Sequence, residues 1–260
     1  MMKPDLNITL IQAAINWEDA DKNRVDFSNY ISQIDRVTDL IILPETFTTG
    51  FSMKPELLAE TMQGRTVQWM TGLAEKSKAV ISGSIIIKED EAYYNRLIWM
   101  QPDGKLEFYD KRHLFTMGGE DKVFATGKKR PVFDLKGWKI APQICYDLRF
   151  PAWSRNDRDF DLLLYVANWP ARRAHHWSAL LRARAIENLA WVAALNRVGE
   201  DGHGVAHSGN STLINPVGDV LWEHADDPVV KTLSLDGGLV ESTRKKFAFL
   251  NDQDQIQFDV

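Results

Sequence analysis

Short apolar runs recur along this chain, and several are separated by stretches whose apolar residues return at helical spacing. Ile8 to Ile11, Leu40 to Leu43, Val80 to Ile87, Leu162 to Val166, Ala190 to Leu195 and Ser211 to Ile214 read as strands, the second stopped by Pro44. Val25 to Ile34 carries Phe27, Tyr30, Ile31 and Ile34 on one helical face. Val67, Met70 and Ala74 stripe a second helix, and Trp177, Leu180, Leu181, Arg184 and Glu187 mark a third. Leu97 to Met100 and Leu106 to Tyr109 flank Pro102-Asp103-Gly104, a hairpin signal; Lys136-Gly137 joins Val132 to Leu135 with Trp138 to Ile140 in another. Asn215 to Asp219 reads as a turn. Strands alternating with helices, interrupted by hairpins, predict an α/β chain with a mixed sheet covered by helices.

Composition narrows this further. A hydrophobic content of 44% with a net charge of only −5 excludes a disordered chain. The net negative charge argues against a general nucleic-acid binder, which needs a basic surplus. One cysteine in 260 residues excludes an intrachain disulfide and a four-cysteine zinc site. The start, Met1 to Asn7, lacks the apolar core of a secretory signal, and no run approaches the ~18 apolar residues of a membrane span. A cytoplasmic protein with no membrane partner is expected. No linker divides the chain, so residues 1–240 are expected to form one domain. Residues 241–260 are expected to be a C-terminal tail, with its acidic-polar end, Asn251 to Val260, packing on a partner.

Three polar residues stand out against this layout. Glu45 follows the strand Leu40 to Pro44, Lys111 follows Leu106 to Asp110, and Cys145 follows the strand that begins at Trp138. Each has a plain structural reading. A free cysteine behaves as a small hydrophobe, and an isolated Glu or Lys is most often a solvated surface charge. Together they place a carboxylate, an ammonium and a thiol at the C-terminal ends of strands, where open α/β sheets hold ligands.

Acyl transfer would use this trio. A thiol with a pKa near 8.5 is only a few per cent ionised at pH 7, so it needs a base or a pKa depressor. A glutamate in hydrogen-bond reach can take its proton. A lysine ammonium and the backbone N–H of Tyr146 can donate to the oxygen that turns anionic in the tetrahedral intermediate. If Asp147 to Phe150 begins a helical turn, its N-terminus also favours the thiolate.

Leu43-Pro44-Glu45, Tyr109-Asp110-Lys111-Arg112-His113-Leu114-Phe115 and Ile144-Cys145-Tyr146-Asp147-Leu148-Arg149-Phe150-Pro151 resemble the motifs of the carbon–nitrogen hydrolase (nitrilase) superfamily. Tyr165 to Pro170, Ala183 to Asn188 and Asn215 to Gly218 extend the similarity, which covers the chain from about Ile8 to Leu235. The resemblance implies a four-layer α-β-β-α sandwich with mixed sheets. It implies a catalytic triad of Glu45 as general base, Lys111 as oxyanion-stabilising lysine and Cys145 as nucleophile. The superfamily also tends to carry a second glutamate after the lysine; Glu120 matches that place, with Asp121 and a solvated loop as other readings. Many members pair as dimers through helices near the active site, so a homodimer is expected, with Phe150 to Trp153, the Trp177 helix and the C-terminal tail as candidate contacts.

Within the superfamily the chain looks most like the omega-amidase branch, through Cys145 to Pro151 and Ala167-Asn168-Trp169-Pro170. That implies release of ammonia from the terminal amide of a small 2-oxo dicarboxylic monoamide, such as 2-oxoglutaramate or 2-oxosuccinamate, through a Cys thioester. No metal or organic cofactor is needed. The acidic substrate end calls for a cation: Arg149 and Arg173 are the first candidates, beside Arg172 and Arg197. Asn168 and Trp169 follow a strand and are expected to shape the pocket; tryptophan is also a common core residue. The alternatives are a hydrolase of deaminated glutathione or another small amide, a nitrilase, or a non-catalytic binding protein on the same fold. A Cys145–His113 dyad would leave the placement of Glu45 and Lys111 coincidental. A metal site built from His203 and His207 is disfavoured, because Gly202 and Gly204 surround His203.

Overall fold

The computed structural model describes residues 3–259. Met1 and Met2, which open the segment read as lacking a secretory signal, and Val260, the last of the tail, lie outside the described residues. Thirteen strands and five α-helices run in the order β1 (Leu6–Gln12), α1 (Ala20–Ser32), β2 (Leu40–Ile42), α2 (Pro55–Leu58), α3 (Arg65–Ser77), β3 (Val80–Glu89), β4 (Ala92–Met100), β5 (Leu106–Asp110), β6 (Phe133–Leu135), β7 (Trp138–Ile144), β8 (Leu162–Ala167), α4 (Ala174–Asn188), β9 (Trp191–Asn196), β10 (Val198–Glu200), β11 (Ala206–Ile214), β12 (Val220–Ala225), β13 (Val229–Leu235) and α5 (Leu239–Lys246). Short 3-10 turns fill several connections. Among the described residues no helix is long and apolar enough to cross a membrane.

The strands form two sheets. One has the order β13-β1-β2-β3-β4-β5; the other runs β10-β11-β9-β8-β7-β6, with β12 on β11. Both are mixed: β1, β2 and β3 are parallel neighbours, as are β7, β8 and β9, and the remaining pairs are antiparallel. Side chains alternate between faces along a strand, and the cores follow that parity. Ile8, Leu10, Leu40 and Ile42 of the first sheet meet Leu162, Leu164 and Val166 of the second in one core between the sheets. Ile11, Ile41 and Leu43 face the other way, onto Phe27 and Ile31 of α1 and Val67, Met70 and Ala74 of α3. Leu163, Tyr165 and Val192 face Trp177, Leu181 and Ala185 of α4. The layers are therefore α-β-β-α. Both faces of the central strands are covered, which is why these strands read as continuous apolar runs rather than alternating ones.

Helix α1 begins where the Asp19 carboxylate accepts the Lys22 N–H at 3.0 Å. Strand β4 extends further back than its apolar half suggests, to Ala92, and carries the buried pair Asn95 and Arg96. Strands β12 and β13 and helices α2 and α5 carry no clean sequence pattern. The C-terminal segment is ordered against its own chain. Val240 of α5 enters the inter-sheet core, and Phe258 meets Trp153 edge-on at 5.0 Å between ring centroids.

Candidate active site

Glu45 and Lys111 stand just beyond β2 and β5 of one sheet, and Cys145 just beyond β7 of the other. The strand ends bring them to one place at the sheet-to-sheet seam. Lys111 is 1% exposed, and its ammonium lies 2.9 Å from Glu45 Oε1 and 2.9 Å from each carboxylate oxygen of Glu120. Glu120, not Asp121, turns inward: it is fully buried while Asp121 is exposed. The Phe115 N–H donates to its Oε2 at 2.6 Å. Burial alone would push the Lys111 amine down, but the two carboxylates outweigh it and hold the ammonium firmly charged. Burial, relieved by Lys111 and reinforced by Glu45, raises the Glu120 carboxyl.

Glu45 is held on every side. Asn95 Nδ2 donates to its Oε1 at 2.8 Å, and the Asn168 backbone N–H donates to Oε2 at 2.7 Å. Asn168 Nδ2 also donates to the Glu45 carbonyl at 2.8 Å. Asn168 therefore positions the base as well as lining the cavity. Asn95 escapes sequence reading because it lies inside a strand; its signal is a polar side chain bordering an apolar run.

Cys145 opens a 3-10 turn, Cys145–Arg149, with φ +44°. A non-glycine residue in the left-handed region costs roughly 1–2 kcal/mol and marks a backbone held by its surroundings. The holder is Asp147, fully buried, which accepts from the Ile144 N–H at 3.0 Å, the Tyr109 hydroxyl at 2.7 Å and the His113 N–H at 3.0 Å. His113 Nδ1 lies 2.8 Å from the same carboxylate, and its ring stacks on Phe150 at 3.7 Å. His113 is thus committed to Asp147 and does not line the cavity with the thiol. Burial first, then the Glu45 charge, push the Cys145 thiol well up, while Lys111 pulls it down. The resting sulfur is therefore a thiol.

A cavity of about 450 Å³ opens over these groups, within the usual size of a small-molecule site. Lys111, Cys145, Tyr146, Arg149, Asn168, Trp169 and Arg173 all line it. Phe51, Phe115 and Met117 add an apolar side. Trp169 serves in both of its expected roles: it is 3% exposed in the α4 core, and it also walls the cavity. Asn196 pins it by accepting its N–H at 2.7 Å, and its indole donates to the Arg173 carbonyl at 2.9 Å. The Arg149 guanidinium lies over the Trp169 ring at 4.9 Å, and that of Arg173 over Phe115 at 5.3 Å. Among the described residues neither pairs with a carboxylate, nor does Arg172 at the rim. Arg197 is different: it is fully buried, donates to the carbonyls of Val198 and Glu200, and does not line the cavity.

A thiol, a buried carboxylate and a fixed ammonium beside arginines that pair with no carboxylate among the described residues can carry out acyl transfer on an acidic substrate. Known proteins agree with this chemistry. The carbon–nitrogen hydrolase family model matches residues 7–245. The chain is 43% identical to omega-amidase YafV of Escherichia coli over 98% of this chain and 99% of that one. It is 33% identical to the 2-oxoglutaramate amidase of Bacillus subtilis, over 83% and 85% of the two chains. XC1258 of Xanthomonas campestris, a CN-hydrolase superfamily protein solved with an arsenic adduct in its active site, superposes with a TM-score of 0.95 at 42% identity, covering 98% of this chain and 100% of that one. With its strand-end trio, its two packed sheets and these relatives, the chain belongs to the carbon–nitrogen hydrolase family.

Proposed function

We propose that this protein is an amidohydrolase that releases ammonia from the terminal amide of a small 2-oxo dicarboxylic monoamide, with Cys145 as nucleophile. The observation that carries the reading is the Lys111 ammonium, clamped between Glu45 and Glu120 on a cavity that holds the only thiol and arginines without carboxylate partners. Glu45 takes the Cys145 proton as the sulfur attacks the amide carbon. The carbonyl electron pair moves onto oxygen, where Lys111 Nζ and the Tyr146 N–H stabilise it. The intermediate collapses, the C–N bond breaks, and Glu45 gives the proton to the leaving ammonia. Water, deprotonated by the same carboxylate, then hydrolyses the thioester to the free acid and thiol. Glu120 does no proton transfer in this scheme; it holds Lys111 charged and aimed. Arg149 and Arg173 supply the cations for the substrate carboxylate, while Asn168 and Trp169 shape the cavity.

An ammonia-release screen tests the reading with 2-oxoglutaramate, 2-oxosuccinamate, deaminated glutathione, glutamine, simple amides and nitriles. The 2-oxo monoamides are expected to give the highest kcat/KM. Preference for deaminated glutathione or a simple amide would move the substrate assignment, and turnover of nitriles alone would overturn the amidase reading.

The base has its own test. Glu45→Gln removes the negative charge that raises the thiol, so the Cys145 titration is expected to move to lower pH, read by thiolate absorbance. Amide hydrolysis is expected to fall together with that gain in thiolate. A variant whose titration moves upward, or which keeps full activity, removes Glu45 from the role.

The protein is further proposed to act in the cytoplasm as a homodimer with a small-molecule partner only. Phe150 to Trp153, helix α4 and the C-terminal tail are the proposed contacts, and exposed Ile186 gives α4 an apolar side chain for such a contact. Light scattering that returns the mass of one chain overturns the dimer.

A further inference from the structure

The cavity has a polar wall that the hydrolysis steps leave unused, formed by Asp201, His203 and His207 on the β10–β11 hairpin. From Ala206 to Ser211 every second residue of β11 turns inward, so His207, Gly209 and Ser211 are buried. Two of these are fully accounted for. The Ser211 hydroxyl donates to Gln12 Oε1 at 2.6 Å and accepts the Asn196 N–H at 3.0 Å. Gly209, at φ +67°, makes room for that glutamine, since a Cβ there would stand 2.3 Å from Gln12 Oε1. His207 is the exception. It is only 6% exposed, yet its ring borders the cavity; Nδ1 is sealed away from the open space, so Nε2 is the ring nitrogen left to meet a ligand.

The surroundings fix its charge state. The buried Arg197 guanidinium and Asp201 are the charged groups that face it. Burial and the Arg197 charge together push the imidazole down to about 4, against smaller opposing pulls from Asp201 and from the backbone of Val205 and Gly199. At neutral pH the ring is uncharged, with one N–H donor and one acceptor nitrogen. Beside Arg197, and in a cavity lined by Arg149 and Arg173, such a ring suits a carbonyl oxygen better than an ammonium.

We infer that His207 is a specificity-determining residue: its ring N–H donates to the 2-oxo oxygen of the substrate while Arg149 and Arg173 take the carboxylate. The inference rests on the substrate reading above and adds which group distinguishes a 2-oxo acid from its 2-amino or unsubstituted counterpart.

The test compares kcat/KM for 2-oxoglutaramate and for glutaramate, which lacks only the 2-oxo group. The unaltered enzyme is expected to favour the oxo substrate, and His207→Leu to cut that ratio about tenfold, the scale of one lost hydrogen bond. His207→Gln, which keeps a donor, is expected to retain most of the preference. A structural role would lower both substrates equally. A ratio unmoved in His207→Leu overturns the inference alone. So does an unaltered enzyme that treats the two substrates alike, whatever the variants do. An enzyme that turns over neither substrate overturns the substrate reading and this inference with it.

Discussion

Replacing Cys145 with alanine is expected to abolish ammonia release while leaving the fold intact. Deleting the nucleophile of a comparable acyl-transfer site costs roughly 10⁶-fold in kcat. Here no neighbouring side chain can substitute, because Cys145 is the only cysteine. The cost to stability is small for three reasons. The thiol lines the cavity, the bonds that fix the turn do not involve it, and alanine meets the same backbone cost as cysteine at this positive φ. The Asp147 bonds that hold the turn involve Ile144, Tyr109 and His113, none of which is touched. Glycine at the same position should relieve the backbone and unfold at higher urea than alanine. Residual hydrolysis above about 1% in Cys145→Ala would sink the covalent mechanism. An unfolded variant would show that the thiol has a packing role not anticipated here.

Lys111→Met is expected to damage both rate and stability. Loss of one oxyanion donor costs about 100-fold or more in kcat. The structural loss adds to it, because Lys111 is the cation between two fully buried carboxylates. Removing one partner of a buried ion pair costs about 3–5 kcal/mol, since the remaining charge stays in low dielectric. The sign of the pH dependence follows. Glu120 already titrates above its usual 4.5 because of burial and Glu45, and Lys111 is what holds it down. Without Lys111 its folded-state pKa rises further. Stability relative to wild type is then fully present below about 4.5 and lost as pH rises through the new folded value. Urea unfolding at pH 5.5 and pH 8 should therefore show a larger deficit at pH 8. Equal deficits, or an enzyme within tenfold of wild-type rate, would remove Lys111 from this position.

Glu45, Lys111 and Cys145 are legible in the sequence because each follows a strand that the sequence marks, and a strand end is where a sheet holds its ligands. Glu120 is legible only through the family resemblance; its loop has no period, and burial alone separates it from Asp121. Arg149 and Arg173 could be named from their nearness to site loops, but not told apart from Arg197, which folds inward onto carbonyls. Asn95 is hidden because β4 changes character at its middle, polar where it meets Glu45 and apolar beyond. The Tyr109–Asp147–His113 cluster joins residues from two sheets, and no local pattern encodes it. Strand β12 leaves much of its surface exposed, which blurs the alternation that reveals a strand. The central strands, covered on both sides, are the most legible as continuous apolar runs.

Strand β13 carries a consequence for how the molecule comes into being. It completes the first sheet by pairing with β1, so Leu6 lies beside Leu235. Glu45 and Lys111 leave the ribosome long before that strand does, and the thiol emerges between them and it. A nascent chain therefore holds all its reactive groups while the sheet that carries its base still lacks an edge. Loop closure over such a separation is slow, so the edge beside β1 is expected to be the last part of that sheet to form.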